Sequence, residues 1–145
     1  MQIKDLAIEL KNLGLKNPPL LKEEDHLKYI NDWRGQYSGK AAAVLKPTNT
    51  LEVSAIVKFA NENGISIVPQ GGNTSLCGAA TPDKSGNSIV VSLEKMNNIR
   101  QFNKEAQTIT VESGMILSQI HELVEKEDLF FPLNLGAKGS CMIGG

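Results

Sequence analysis

Near the amino terminus Ile3, Leu6, Leu10 and Leu13 recur at helical spacing, and Gly14 stands where such a helix would stop. After NPPL, the charged run LKEEDHLKYI predicts a helical turn, and DWRGQYSGKA predicts a loop through Gly35, Ser38 and Gly39. Ala41 to Lys46 reads as a short strand ended by Pro47. From Thr50 to Asn63, Leu51, Val53, Ile56, Val57 and Ala60 predict one apolar helical face, with Glu52 favourable in the first turn and Gly64 as the carboxyl-terminal cap. Ile65 to Val68 is a brief apolar run, so the middle of the chain predicts two parallel strands paired through a helical crossover. Beyond it, SIVVSLEKM (88–96) and TITVESG (108–114) predict two strands of a meander or hairpin, with NKEAQ as a polar link. Ile116, Leu117, Ile120, Leu123 and Val124 share one face of a last helix over 116–127. The fold class is α+β, a mixture of helices and strands.

Charge adds exclusions. Fifteen basic and sixteen acidic side chains nearly cancel and are scattered, which leaves no footprint for nucleic acid or an anionic membrane. At 145 residues the chain has the length of one domain. The first thirty residues have no long uncharged apolar core, so neither a membrane span nor a secretory signal is expected, and a cytoplasmic address is the default. Cys77 and Cys141 form no C-x-x-C or Cys/His cluster and read as reduced, small apolar side chains, and no metal site is expected.

The stretch PQGGNTSLCGAATPD (69–83) breaks the pattern, because an apolar strand runs directly into glycines and small polar residues that cannot build a core. Gly71, Gly72 and Gly78 let main chain approach a ligand closely, and successive N–H groups in such a turn form a concave anion site. Asn73, Thr74 and Ser75 can add side-chain donors without filling the space. The P-loop pattern fails for want of a lysine followed by Ser or Thr. The dinucleotide fingerprint fails because LCGAATPDKSGN carries Pro82 and turn residues instead of a helical face. A second glycine segment, LGAKGSCMIGG (135–145), has the same character and offers the Ser140 hydroxyl, so two loops could hold one elongated anion. An apolar, glycine-dense ending also has backbone groups that need partners, and further sequence beyond residue 145 is expected to supply them.

Other residues have plainer readings. His26 and His121 are expected at the surface or its boundary, and Glu23, Glu24 and Asp25 form a solvated helix start. Trp33 and Tyr37 are expected to anchor the amino-terminal segment against the sheet. No Ser/His/Asp or Cys/His set is assignable.

DWRGQYSGKAAAVLKPTNTLEVSAIVKFANENGISIVPQGGNTSLCGAATPD, SIVVSLEKMNNIRQFNKEAQTITVESGMIL and LFFPLNLGAKGSCMIGG together cover residues 32 to 145 almost throughout. They resemble flavoproteins with the vanillyl-alcohol-oxidase (PCMH) type of FAD-binding domain, within the group that oxidises D-2-hydroxyglutarate, D-lactate and glycolate. PQGGNT and LGAKGSC are most similar to the D-2-hydroxyglutarate branch. The resemblance implies that the first loop wraps the FAD pyrophosphate and the second passes near the flavin. Cofactor contacts are thereby implied at Pro69, Gln70, Gly71, Gly72, Asn73, Thr74, Ser75, Ala79 and Ala80, and at Gly136, Gly139, Ser140, Ile143 and Gly144. Lys138 either approaches the phosphates or points to water. Relatives that bind FAD covalently often have histidine after the paired glycines, so Asn73 implies noncovalent FAD. Ser75, Ala79 and Ala80 stand where the family often has glycine or another small residue, Asn134 where the branch usually has aspartate, and Met142 where a polar residue is common.

Members of the family run to several hundred residues, with a second lobe and a substrate domain that carries the catalytic base. The resemblance therefore implies a fragment: a helical segment at 1–31, a complete first α/β lobe at 32–104, and a second lobe only begun at 105–145. It would be the amino-terminal, FAD-binding part of a 2-hydroxy-acid dehydrogenase, inactive alone, with no catalytic residue of its own and its hydroxy-acid substrate met only by the missing region. The alternative is a noncatalytic nucleotide-binding or self-associating half-domain. Apolar surface left exposed by a missing lobe would favour homo-oligomers.

Overall fold

The structure, a computed structural model, describes residues 3–144; the side chains of residues 3–5 lie outside that description, and with them the packing expected of Ile3, as does Gly145. The elements run α1 (Ile3–Asn12), α2 (Glu23–Ile30), β1 (Ala43–Leu45), α3 (Thr50–Glu62), β2 (Ser66–Gln70), β3 (Ser88–Ser92), β4 (Ile99–Asn103), β5 (Thr108–Val111) and α4 (Leu117–Glu125). Three helices fall where the apolar spacing predicts them, and α2 falls where the charged run LKEEDHLKYI predicts a helical turn. Asn49 caps α3 by accepting from the Glu52 N–H at 3.0 Å, and Gly64 ends the helix at φ +62°.

The sheet differs from the expected pair. β1 and β2 do not touch; both lie parallel to β3, which sits between them, with Ala43 opposite Ile89 and Ile67 also opposite Ile89. Ser88–Ser92 is buried at every position, which suits a central strand covered on both faces. On one face Ala43, Leu45, Ile89 and Val91 meet Leu6 and Leu10 of α1 and Ile56, Phe59 and Ala60 of α3. On the other, Val44 and Val90 meet Tyr29 of α2. The α3 face is therefore rotated from the expected one: Leu51 and Val57 are exposed, and Phe59 turns inward. Pro69 lies on the edge strand β2, where a missing donor disturbs no ladder.

The antiparallel hairpin is formed by β4 and β5, not by the two runs expected to pair. β4, IRQFN, went unpredicted because four of its five residues are solvent-exposed and polar residues alternate poorly along it. Phe102 and Val111 of the hairpin pack on Met115, Ile120 and Val124 around α4. The boundary expected at residue 104 falls inside this hairpin turn. Glu112 ties the unit together. Its carboxylate accepts from the Asn98 N–H (3.0 Å) and Nδ2 (2.9 Å) and from Arg100 Nη2 (3.2 Å), and Arg100 also donates to Thr50 at the start of α3. No described helix is long and apolar enough to cross a membrane.

The Asn98 N–H, then the Asn98 amide and Arg100, hold the Glu112 carboxyl below its ordinary range. A lowered folded value means that this stabilisation is complete above the unfolded value of about 4.3 and is lost as pH falls through the lower folded value. Glu112→Gln should cost about 1.5–3 kcal/mol at neutral pH. It should also flatten the acid limb of stability below about pH 4.3, both read by urea unfolding across pH.

Candidate functional site

Because β1, β2 and β3 are parallel, their carboxyl ends emerge at one edge of the sheet, where ligand sites of parallel sheets commonly lie. The first glycine loop leaves β2 at this edge. Gly71 to Ser75 are half-buried, and their five consecutive main-chain N–H groups donate to no acceptor among the described residues. Donors in that number, on one partly solvated loop, are free to meet an acceptor from outside the chain.

Three side chains around those donors are engaged with protein atoms. Gln70 is buried, and its Nε2 donates to the carbonyls of Tyr29 (2.8 Å) and Ala80 (2.7 Å), which ties the loop's two ends together. Asn73 takes φ +52° and gives its Nδ2 to the Asn31 carbonyl at 2.8 Å. The Asn73 amide, expected as a ligand donor, is thus spent on protein. Ser75 Oγ lies 3.2 Å from Cys77 Sγ and accepts from the Cys77 N–H. Ser75 is the first cause, and the Ala79 N–H the second, of a Cys77 thiol held below the ordinary thiol range. Cys77 is exposed, contrary to the apolar role expected of it, whereas Cys141 is buried. Ala79 is exposed and Ala80 half-buried.

The second loop reaches the first. A Cβ at Gly72 would overlap the Ser140 carbonyl, so the two segments meet main chain to main chain. Part of the apolar ending's backbone finds its partners within the chain. Met142 bridges Ile116, the Cys141 and Lys138 carbonyls accept from Leu117 and Ser118 at the start of α4, and Gly144 donates to Ser113 at 2.8 Å. Gly136, Gly139, Ser140, Ile143 and Gly144 are all exposed along this loop, as is Lys138. Gly136 and Gly139 have open space where a Cβ would stand.

Several participants have no sequence signal. The Tyr37 ring packs on Gly78, where a Cβ would sit 2.6 Å from it, while Trp33 is largely exposed instead of anchoring the segment. Tyr29 and Asn31 act through carbonyls, which no motif records. A clue was available in the two amides, Gln70 and Asn73, that flank the glycines and need partners once buried. His26, expected near the surface, is buried with Nε2 3.0 Å from the Leu20 carbonyl. His121 is half-buried, 2.8 Å from the Leu133 carbonyl.

What this arrangement can do is hold an elongated anion with neutral donors where two loops meet. The donor set fits a diphosphate bridge, since such N–H groups accept negative charge without a counter-cation. A profile described as an FAD binding domain matches residues 41–145. The chain is 36% identical over 143 residues to the mitochondrial D-2-hydroxyglutarate dehydrogenase of Arabidopsis thaliana, covering 98% of this chain and 25% of that protein. It is 43% identical over 114 residues to a Schizosaccharomyces pombe protein provisionally named a mitochondrial D-lactate dehydrogenase, covering 79% of this chain and 21% of the other. The chain thus spans about a quarter or less of the length of these relatives. A solved alkyldihydroxyacetonephosphate synthase superposes with a TM-score of 0.85 over 99% of this chain and 28% of that one, at 17% identity, a likeness of fold alone. The architecture is the PCMH type, and the chain belongs to the family of FAD-binding domains.

Proposed function

We propose that this chain is the FAD-holding portion of a flavin-dependent 2-hydroxy-acid dehydrogenase of the D-2-hydroxyglutarate and D-lactate type. The observation that carries the reading is the run of unpaired N–H groups from Gly71 to Ser75, packed against the second glycine loop at Gly72 and Ser140. In this reading those five groups hold the pyrophosphate, and Gly136 to Gly144 lie along the rest of the cofactor. FAD is held noncovalently, because Asn73 offers no nucleophile and its amide is engaged with Asn31. Bound FAD supplies a ring able to accept a hydride from a hydroxy-acid carbon. The chain's own part is to bind and orient. Its residues supply no catalytic base, so the isolated chain oxidises no substrate. The relatives' names support the substrate class.

Two further points belong to the same proposal. One is a cytoplasmic address, against which stand the names of both relatives described above, which are mitochondrial proteins. Self-association is supported by Phe130, Leu133 and Leu135, large apolar side chains exposed on one segment.

If three of those five groups make charge-assisted bonds at about 1.5–3 kcal/mol each, the FAD dissociation constant of the isolated chain falls between about half millimolar and about 0.3 μM. Titration followed by flavin fluorescence measures it, and no saturable binding at millimolar FAD would overturn the reading. Gly72→Ala, which drives a methyl into the Ser140 carbonyl, should weaken binding at least about tenfold, whereas Gly139→Ala should leave the fold's melting temperature unchanged. Iodoacetamide at neutral pH should modify Cys77 and spare Cys141 in the folded protein, read by peptide mass spectrometry.

A further inference from the structure

The last turn of a helix leaves its carbonyls without partners inside the helix. In α2 these acceptors are met from outside, and the glycine loop supplies much of what meets them. Gln70 Nε2 donates to the Tyr29 carbonyl at 2.8 Å, and Asn73 Nδ2 donates to Asn31 at 2.8 Å and approaches Lys28 at 3.5 Å. The Ile30 carbonyl takes the Gly39 N–H at 2.9 Å. Gly39 in turn sits directly on the Pro82 carbonyl, at the far end of the same loop.

We infer that Gln70 and Asn73 are positioning residues, and that the carboxyl end of α2, residues 28–31, is part of the cofactor site although it precedes the stretch matched to the family at 41–145. The chemistry runs in one direction. Two amide side chains spent on carbonyls at the end of α2 fix the adjoining main chain, and the loop's own N–H groups stay free of protein acceptors. Asn73 makes this possible because it tolerates the left-handed conformation that most residues avoid. Capping also covers the negative end of the α2 dipole, which would otherwise repel an anion held nearby. The proposal rests on the FAD reading for the identity of the anion only.

The test compares wild type, Asn73→Asp and Asn73→Gly as full chains. Asp keeps the size but faces carbonyls with an acceptor; Gly keeps the backbone freedom but removes the amide, and serves if the first variant does not fold. Backbone order parameters at Gly71–Ser75, measured without FAD, should fall from about 0.85 toward 0.6, while hydrogen-exchange protection of β3 stays at its wild-type level. The FAD dissociation constant should rise about tenfold. Unchanged order in the loop of the folded variants would overturn the inference, and so would a parallel loss of protection in β3, which marks a general structural role. If wild type takes up no FAD while the loop loosens as described, the flavin reading falls and the positioning role stands.

Discussion

Main chain packed directly on main chain is the constraint from which the rest of this structure follows. At Gly72 the first loop lies against the Ser140 carbonyl, and at Gly114 the turn before α4 lies against the Leu93 carbonyl. Neither place has room for a Cβ. The second contact brings the α4 unit against the exit of β3, where Gly114 also donates to Met96 at 2.8 Å. The first then sets the two glycine segments side by side. Side chains at either point would hold the loops several ångströms apart, too far to share one ligand.

Polar groups complete what close packing begins. The N-terminal N–H groups of α4 are met by the Lys138 and Cys141 carbonyls, and the C-terminal carbonyls of α2 are met by Asn73 and Gln70. Each loop is therefore fixed by satisfying a helix end, a requirement that any buried helix terminus imposes. Among the described residues, the N–H groups of Gly71 to Ser75 are then left unpaired in one consecutive run. An anion site needs such a remainder, because a mobile loop would lose more freedom on binding.

The hairpin unit and the parallel sheet are joined by more than apolar contact. Arg100 reaches both Glu112 and Thr50, so the start of α3 and the base of β4–β5 share one cation. Glu112 is almost wholly buried yet its oxygens are met by three donors, which makes the carboxylate tolerable there.

By itself the sequence determined where the four helices, the three strands of the parallel sheet and the glycine segments lie, because apolar runs and glycine placement are local properties. It also carried the family, through motifs that run in order from residue 32 onward. Only the tertiary structure decided that β3 enters between β1 and β2, since which strands pair depends on burial of both faces and not on chain order. The same holds for the exposed strand β4, whose partner supplies the order its own pattern lacks, and for the inward turn of Phe59. The roles of Gln70 and Asn73 were half hidden for a further reason: the amides signal that partners are needed, but the carbonyls that meet them belong to every residue, so the sequence could not say which ones.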